Sequence, residues 1–264
     1  MQPALRLLYF LALSLPGTVA GANDIDTDLL RRATGQVRAY LAELPDYVCR
    51  VDIDRFERAR PGGRVFSRDQ LALEVAFVGG REMYAAPGDN RFEEGSAERL
   101  TGGTGAMSTG SYAMHIREVF STGHPEFLAA AVTREGGRER VRIAFHIPPG
   151  KSMLTVSDGS HRGVVGYAGL VYLTPGTFEL EELEVRITEV PRKMSLARSG
   201  ERTIYRRVRI GDRELALPAS TELTLITKSG QEMSNSVTFR NCRRYEADST
   251  IHFGEVAPDK KAPQ

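Results

Sequence analysis

The sequence predicts a mainly β, α+β protein: one large curved antiparallel sheet with an N-terminal helix and one internal helix covering its concave face. Three observations carry this. Long stretches alternate apolar and polar residues with a period of two. Tight-turn signals punctuate those stretches at short intervals. Two segments alone show helical spacing, too few for repeated crossovers, so the strands are expected to join as antiparallel neighbours.

Residues 1–22 read as a cleavable signal peptide. Arg6 precedes the apolar run Leu7-Leu8-Tyr9-Phe10-Leu11-Ala12-Leu13, and small residues follow at Ala20-Gly21-Ala22. The run is shorter than the roughly 20 residues a spanning helix needs. A soluble product starting near Asn23 is expected, exported to the periplasm or otherwise outside the cytosol and not membrane-spanning. About 240 residues remain after cleavage, enough for a real core, and residues 23–256 are expected to form a single β domain. Residues 257–264, Ala257-Pro258-Asp259-Lys260-Lys261-Ala262-Pro263-Gln264, are expected to be a disordered tail.

The first helix is expected over the segment in which Leu29, Leu30, Ala33, Val37, Tyr40, Leu41 and Leu44 recur along one face. Asp26 and Thr27 offer N-cap oxygens, and Leu44-Pro45-Asp46 supplies the stop. From Tyr47 onward the period is two. Leu71, Leu73, Val75 and Phe77 alternate with Ala72, Glu74 and Ala76, and Val141, Ile143, Phe145 and Ile147 alternate with Arg142, Ala144 and His146. Leu183, Val185 and Ile187 alternate with Glu182, Glu184 and Arg186. Such one-sided alternation gives the sheet one apolar and one wet face. Gly79-Gly80, Gly136-Gly137, Gly211-Asp212 and Ser229-Gly230 mark turns between strands. A second helix is expected from Ser111 to Ser121, with Tyr112, Ile116, Val119 and Phe120 near one face, after a glycine-rich loop at 101–110.

The mature chain has two cysteines, Cys49 in an early strand segment and Cys242 in the last one. In an oxidising compartment two such thiols usually pair, and a bridge is the expected arrangement. Two buried free thiols are the alternative. A bridge would close nearly the whole domain into one loop, worth on the order of 5 kcal/mol as an upper figure from chain entropy.

Charge excludes some functions. The chain carries 35 basic and 34 acidic residues, and removing Arg6 with the leader balances them. A polyanion-binding protein would show a basic excess, so no nucleic-acid partner is expected. The glycine-rich loop lacks the Gly-Lys-Ser/Thr ending of a P-loop, and Gly105-Ala106-Met107-Ser108-Thr109-Gly110 is not a nucleophile elbow. His115, His124, His146, His161 and His252 are scattered without zinc-ligand spacing. Glu179, Glu181, Glu182 and Glu184 read as the polar rim of one strand. No catalytic residue, metal ligand or cofactor is expected, and the protein is expected not to be an enzyme.

An apolar sheet face covered by two amphipathic helices suits a ligand held by non-directional apolar burial, such as an acyl chain. The expected lining is Leu73, Val75, Phe77, Ile143 and Phe145, with Met83, Met107 and Met114 as an adaptable rim. The alternative is that these residues form a permanently closed core.

Three segments carry a family resemblance: Leu44-Pro45-Asp46-Tyr47-Val48-Cys49, the run from Leu73 through Gly79-Gly80 to Met83, and Phe239-Arg240-Asn241-Cys242-Arg243-Arg244-Tyr245. With the order helix, meander, internal helix, meander, the chain resembles the periplasmic lipoprotein carriers of the LolA/LolB-like half-barrel superfamily, and is similar to longer exported proteins of acidobacterial type. The resemblance implies a half-barrel and a non-enzymatic carrier that shelters an acyl chain or an acylated protein beneath a helical cover. The bland alternative is an envelope structural or protein-interaction module with a closed core.

Overall fold

The structure, a computed structural model, describes residues 25–89, 91–93, 113–158 and 161–246. The expected signal peptide, glycine-rich loop and tail lie outside these residues, as do Tyr112 and Met107.

Helix α1 spans Thr27–Ala42. Asp26 caps it: its carboxylate accepts from Leu29 N at 2.9 Å, satisfying one of the free amides of the first turn. Leu29, Ala33, Val37 and Leu41 are buried, at the spacing the sequence predicts. Strands β1 (Tyr47–Arg58), β2 (Val65–Val78) and β3 (Arg81–Ala85) follow as a meander. Gly79 and Gly80 turn between the last two with φ of 57° and 80°, a pair of left-handed conformations that only glycine adopts freely.

The second helix differs from expectation. Among the described residues it is a short α-helix, α2 (Met114–Arg117), running directly into a π-helical turn at Glu118–Thr122. Ile116, Val119 and Phe120 are buried as expected, together with His115 and Glu118, which the sequence did not single out. A π turn rotates the succeeding side chains relative to an α-helix, and five of the six positions from His115 to Phe120 are buried, Arg117 being the exception.

Strands β4 (Glu126–Glu135) and β5 (Arg138–Ile147) form a hairpin through Gly136-Gly137. The short strands β6 (Thr155–Ser157) and β7 (Arg162–Val164) form a separate small hairpin. Strands β8 (Gly166–Leu173), β9 (Leu180–Glu189), β10 (Leu196–Ile210), β11 (Arg213–Thr227) and β12 (Glu232–Arg244) complete the chain.

Among the described residues one ten-stranded sheet has the order β3-β2-β1-β12-β11-β10-β9-β8-β5-β4, every neighbour antiparallel. It is open, with β3 and β4 as edges. The last strand returns beside the first, and Cys49 and Cys242 form a disulfide across that pair, 193 residues apart in sequence. The expected bridge is present. It sits at a bulge: the register shifts between Val48 and Arg50, and Asn241 takes the extra place on β12 with φ 49°. Asparagine tolerates that left-handed conformation better than most residues.

The sheet's alternation places Val141, Ile143, Phe145 and Ile147 beneath the helices, all buried. Gly169 on β8 faces Phe145, and a Cβ there would lie 2.7 Å from the Phe145 ring and 2.0 Å from the Glu184 carbonyl oxygen. Its missing side chain is what lets the phenyl ring lie over the strand.

The opposite face carries charge. Glu182, buried there, accepts from Arg140 Nη2 at 2.8 Å and from Arg202 Nε. Arg140 in turn lies 3.8 Å from the Tyr172 ring centroid. Burial pushes the Glu182 carboxyl up, but the hydrogen bonds from Arg202 and Arg140 outweigh it and hold the group below its usual range. Glu184 moves the other way, raised by burial and by the Glu182 charge.

Two expected outcomes follow from this framework. Reduction, or the paired substitution Cys49→Ala and Cys242→Ala, lowers the melting temperature, with a loss of up to about 5 kcal/mol in urea unfolding because the unbridged chain gains loop freedom. Because the native Glu182 pKa is depressed, its contribution is full above the unfolded value of about 4.3 and is lost as pH falls through the native one. The stability gap between wild type and Glu182→Gln, followed by urea unfolding against pH, is therefore widest at neutral pH and narrows below about pH 4.

Candidate functional site beneath the helical cover

Two apolar clusters occupy the helix-covered side of the sheet. One joins α1 and α2 to β5, β8 and β9 and includes Ile143 and Phe145. The other lies toward β1 and β2 and includes Leu73, Val75 and Phe77. Tyr40 of α1 packs against both. The structure thus places the expected lining residues in two adjoining groups. Met114 starts α2 and is half-buried. Met83 pairs with Ala76, the face opposite to the Val75–Tyr84 pair, so strand alternation turns it away from the other lining residues. Met107 lies outside the described residues.

The cover is fastened by polar contacts as well as apolar ones. At its start Glu82 of β3 accepts from Ala113 N at 3.2 Å and from the Tyr84 hydroxyl at 2.7 Å. A carboxylate there also favours the positive end of the turn. His115 Nε2 lies 3.6 Å from Glu201 Oε1 of β10, both groups buried. Glu118 accepts from Met153 N at 2.6 Å, and Arg38 of α1 donates through Nε to the Phe120 carbonyl. Arg117 stacks over the Phe77 ring at 5.6 Å. α2 is therefore tied to β3, β10, the chain after β5, and α1.

These polar groups were invisible to the sequence reading. Glu201, Thr203 and Tyr205 alternate with Arg202, Ile204 and Arg206, so neither side of that strand shows an apolar stripe to mark the buried one. The same holds across the sheet, where Glu201 lies opposite Leu223, Leu223 opposite Asn235, Asn235 opposite Arg55, and Arg55 opposite Asp69. Arg55 is buried and donates to Asp69 through Nε at 2.8 Å, which holds the Asp69 carboxyl below its usual range. His146 is not part of this set; it lies 3.4 Å from both Glu126 and Glu189 on the charged side.

Tyrosines complete the polar content. Tyr167 stacks edge-on to Phe145 at 5.9 Å and lies 5.7 Å from the His115 ring. Its hydroxyl pKa is driven up by burial and by the nearby Glu118 and Glu201 carboxylates, so it remains a neutral phenol. Tyr40 donates to the Ala216 carbonyl at 2.8 Å, and burial raises its pKa as well.

Where the end of α1 meets α2 over β10 and β11, the two covers leave a cavity of about 10 Å³, room for about one water. That cavity is too small for an acyl chain. Among the described residues no group of three or more His, Cys, Asp or Glu side chains gathers as a metal site.

The arrangement defines a class: an open antiparallel sheet whose apolar face is roofed by two separately anchored helices. No family model and no curated protein matches the chain. Among solved structures it is similar to a LolA superfamily protein from Nitrosomonas europaea, with a TM-score of 0.43 and 10% identity over 82% of this chain and 94% of that one. It is also similar to a DUF1329 family protein from Desulfovibrio piger, with a TM-score of 0.44 and 9% identity over 86% of this chain and 96% of that one. The first bears the name of the superfamily that the three sequence segments resemble.

The buried pair gives an expected outcome. His115→Leu removes the imidazole from Glu201 and destabilises by roughly 1–3 kcal/mol, because a buried carboxylate loses a partner. Adding Glu201→Leu recovers part of that loss, so a double-mutant cycle read by urea unfolding shows favourable coupling between the two positions.

Proposed function

We propose that this protein is an exported, non-enzymatic binding protein that holds an acyl chain, free or attached to a protein, against the apolar face of its sheet. The observation that supports the reading is the roof. α2 is short, is fastened at each end by hydrogen bonds, and packs with the apolar side chains of both clusters without being continuous with the sheet. Exchanging those polar contacts for water lifts the roof and bares Leu73, Val75, Phe77, Ile143 and Phe145, with Met114 at the moving edge. Burial of an acyl chain there recovers on the order of 25 cal/mol per Å² of apolar surface. A disulfide fits an oxidising compartment. Among the described residues no helix is long and apolar enough to cross a membrane.

A second reading has its own support. The two buried apolar clusters, with a cavity of only about 10 Å³ at the helix seam, fit an envelope module whose core stays closed and whose partners dock outside. The two readings separate in one experiment. Under the carrier reading, titrating the purified protein into a fluorescent fatty acid gives saturable enhancement, and native mass spectrometry of protein taken gently from an envelope fraction shows a bound lipid mass. A bare protein mass together with no fatty acid uptake removes the carrier reading and leaves the closed module.

A further inference from the structure

The cavity between α1 and α2 is apolar on most sides, with Leu41, Ile116 and Leu217 among its walls. Tyr205 of β10 enters that wall, and its buried hydroxyl has no hydrogen-bond partner. A buried hydroxyl without a partner is destabilising, and phenylalanine would fill the same ring volume without that penalty. Packing therefore gives no reason for the oxygen.

The backbone around Tyr205 is also specialised. The β10–β11 register shifts between Ile204 and Tyr205, and Tyr205 faces Pro218. A proline inside a central strand removes a ladder hydrogen bond and is confined to bulges, and bulges re-aim side chains next to functional sites. Pro218 lines the same cavity. Burial, with lesser contributions from Tyr40, Glu201 and Glu82, drives the Tyr205 pKa well above its ordinary value, so the phenol keeps its proton and remains a donor.

We infer that Tyr205 is the polar anchor of the bound ligand, donating its hydroxyl to a carbonyl oxygen of an acyl ester or amide while the hydrocarbon chain lies on the adjoining apolar clusters. This rests on the carrier reading and adds the ligand's class: acyl chains that still carry their carbonyl linkage, rather than plain hydrocarbons. The seam between the two covers is where that carbonyl enters, since Tyr40, Leu41 and Ile116 there belong to elements packed over the sheet, not to the sheet itself.

The test uses the full-length mature protein and two fluorescent ligands of equal chain length, a pyrene-labelled fatty acid methyl ester and the matching pyrene-labelled alkane. Wild type is expected to prefer the ester, and Tyr205→Phe to lose about tenfold in ester affinity while binding the alkane as before. Thermal unfolding of Tyr205→Phe is expected to match or exceed wild type, because only an unpartnered oxygen has been removed. An ester preference that survives Tyr205→Phe, or an equal loss for both ligands, overturns the anchor and leaves the carrier reading standing. Binding of neither ligand by wild type overturns both.

Discussion

The pairing of β1 with β12 is the constraint on which the rest depends. It joins two meanders that have no other route into one sheet: β1–β2–β3 on one side and the run from β8 to β12 on the other. Without it the cluster containing Leu73, Val75 and Phe77 would lack the floor supplied by Ile210, Leu215 and Leu217. The pairing is as non-local as the chain allows, so its loop-closure entropy is large and its formation is expected late in folding. The disulfide between Cys49 and Cys242 lies across this ladder, where it removes the largest part of that entropy from the unfolded chain.

Covering the apolar face is the second requirement, and the chain meets it with two helices of different character. α1 is a regular amphipathic helix with a side-chain cap, and its place is set by a continuous apolar stripe. α2 is too short to be stable alone and depends on what it touches: Glu82, Glu201, the Met153 amide and Arg38. Buried polar contacts of this kind specify one position without adding much net stability. A roof of that sort is well defined when closed and readily exchanged for solvent when it moves.

Much of the framework was legible in the sequence. The period of two in β2, β5 and β9 survives into the structure because those strands have one buried and one charged face, and the glycine pairs at 79–80 and 136–137 turn where they must. The stripe of α1 was legible for the same reason. The sequence could not say that β12 returns to β1, since pairing partners far apart leave no local trace. Nor could it show the buried polar set. His115, Glu118, Glu201 and Tyr205 are polar residues at inward positions, where the binary pattern reads as noise, and the π turn from Glu118 breaks helical spacing. Glu182, which by sequence reads as part of a polar rim, is a buried carboxylate held by two arginines.

The start of α1 is fastened to the edge of the sheet. Just before the helix, Ile25 bridges in parallel to Ala130 of the edge strand β4, and Asp26 N donates to the Ala130 carbonyl at 2.9 Å. That strand carries the exposed side chains Leu128 and Val132. Lifting α1 would therefore strip the backbone cover from an apolar edge and turn it into a template for strand addition by another chain. Among the described residues α2 has no such backbone bond to β4. The two helices are therefore unequal: α1 doubles as the guard of an apolar edge, whereas α2 covers the interior alone.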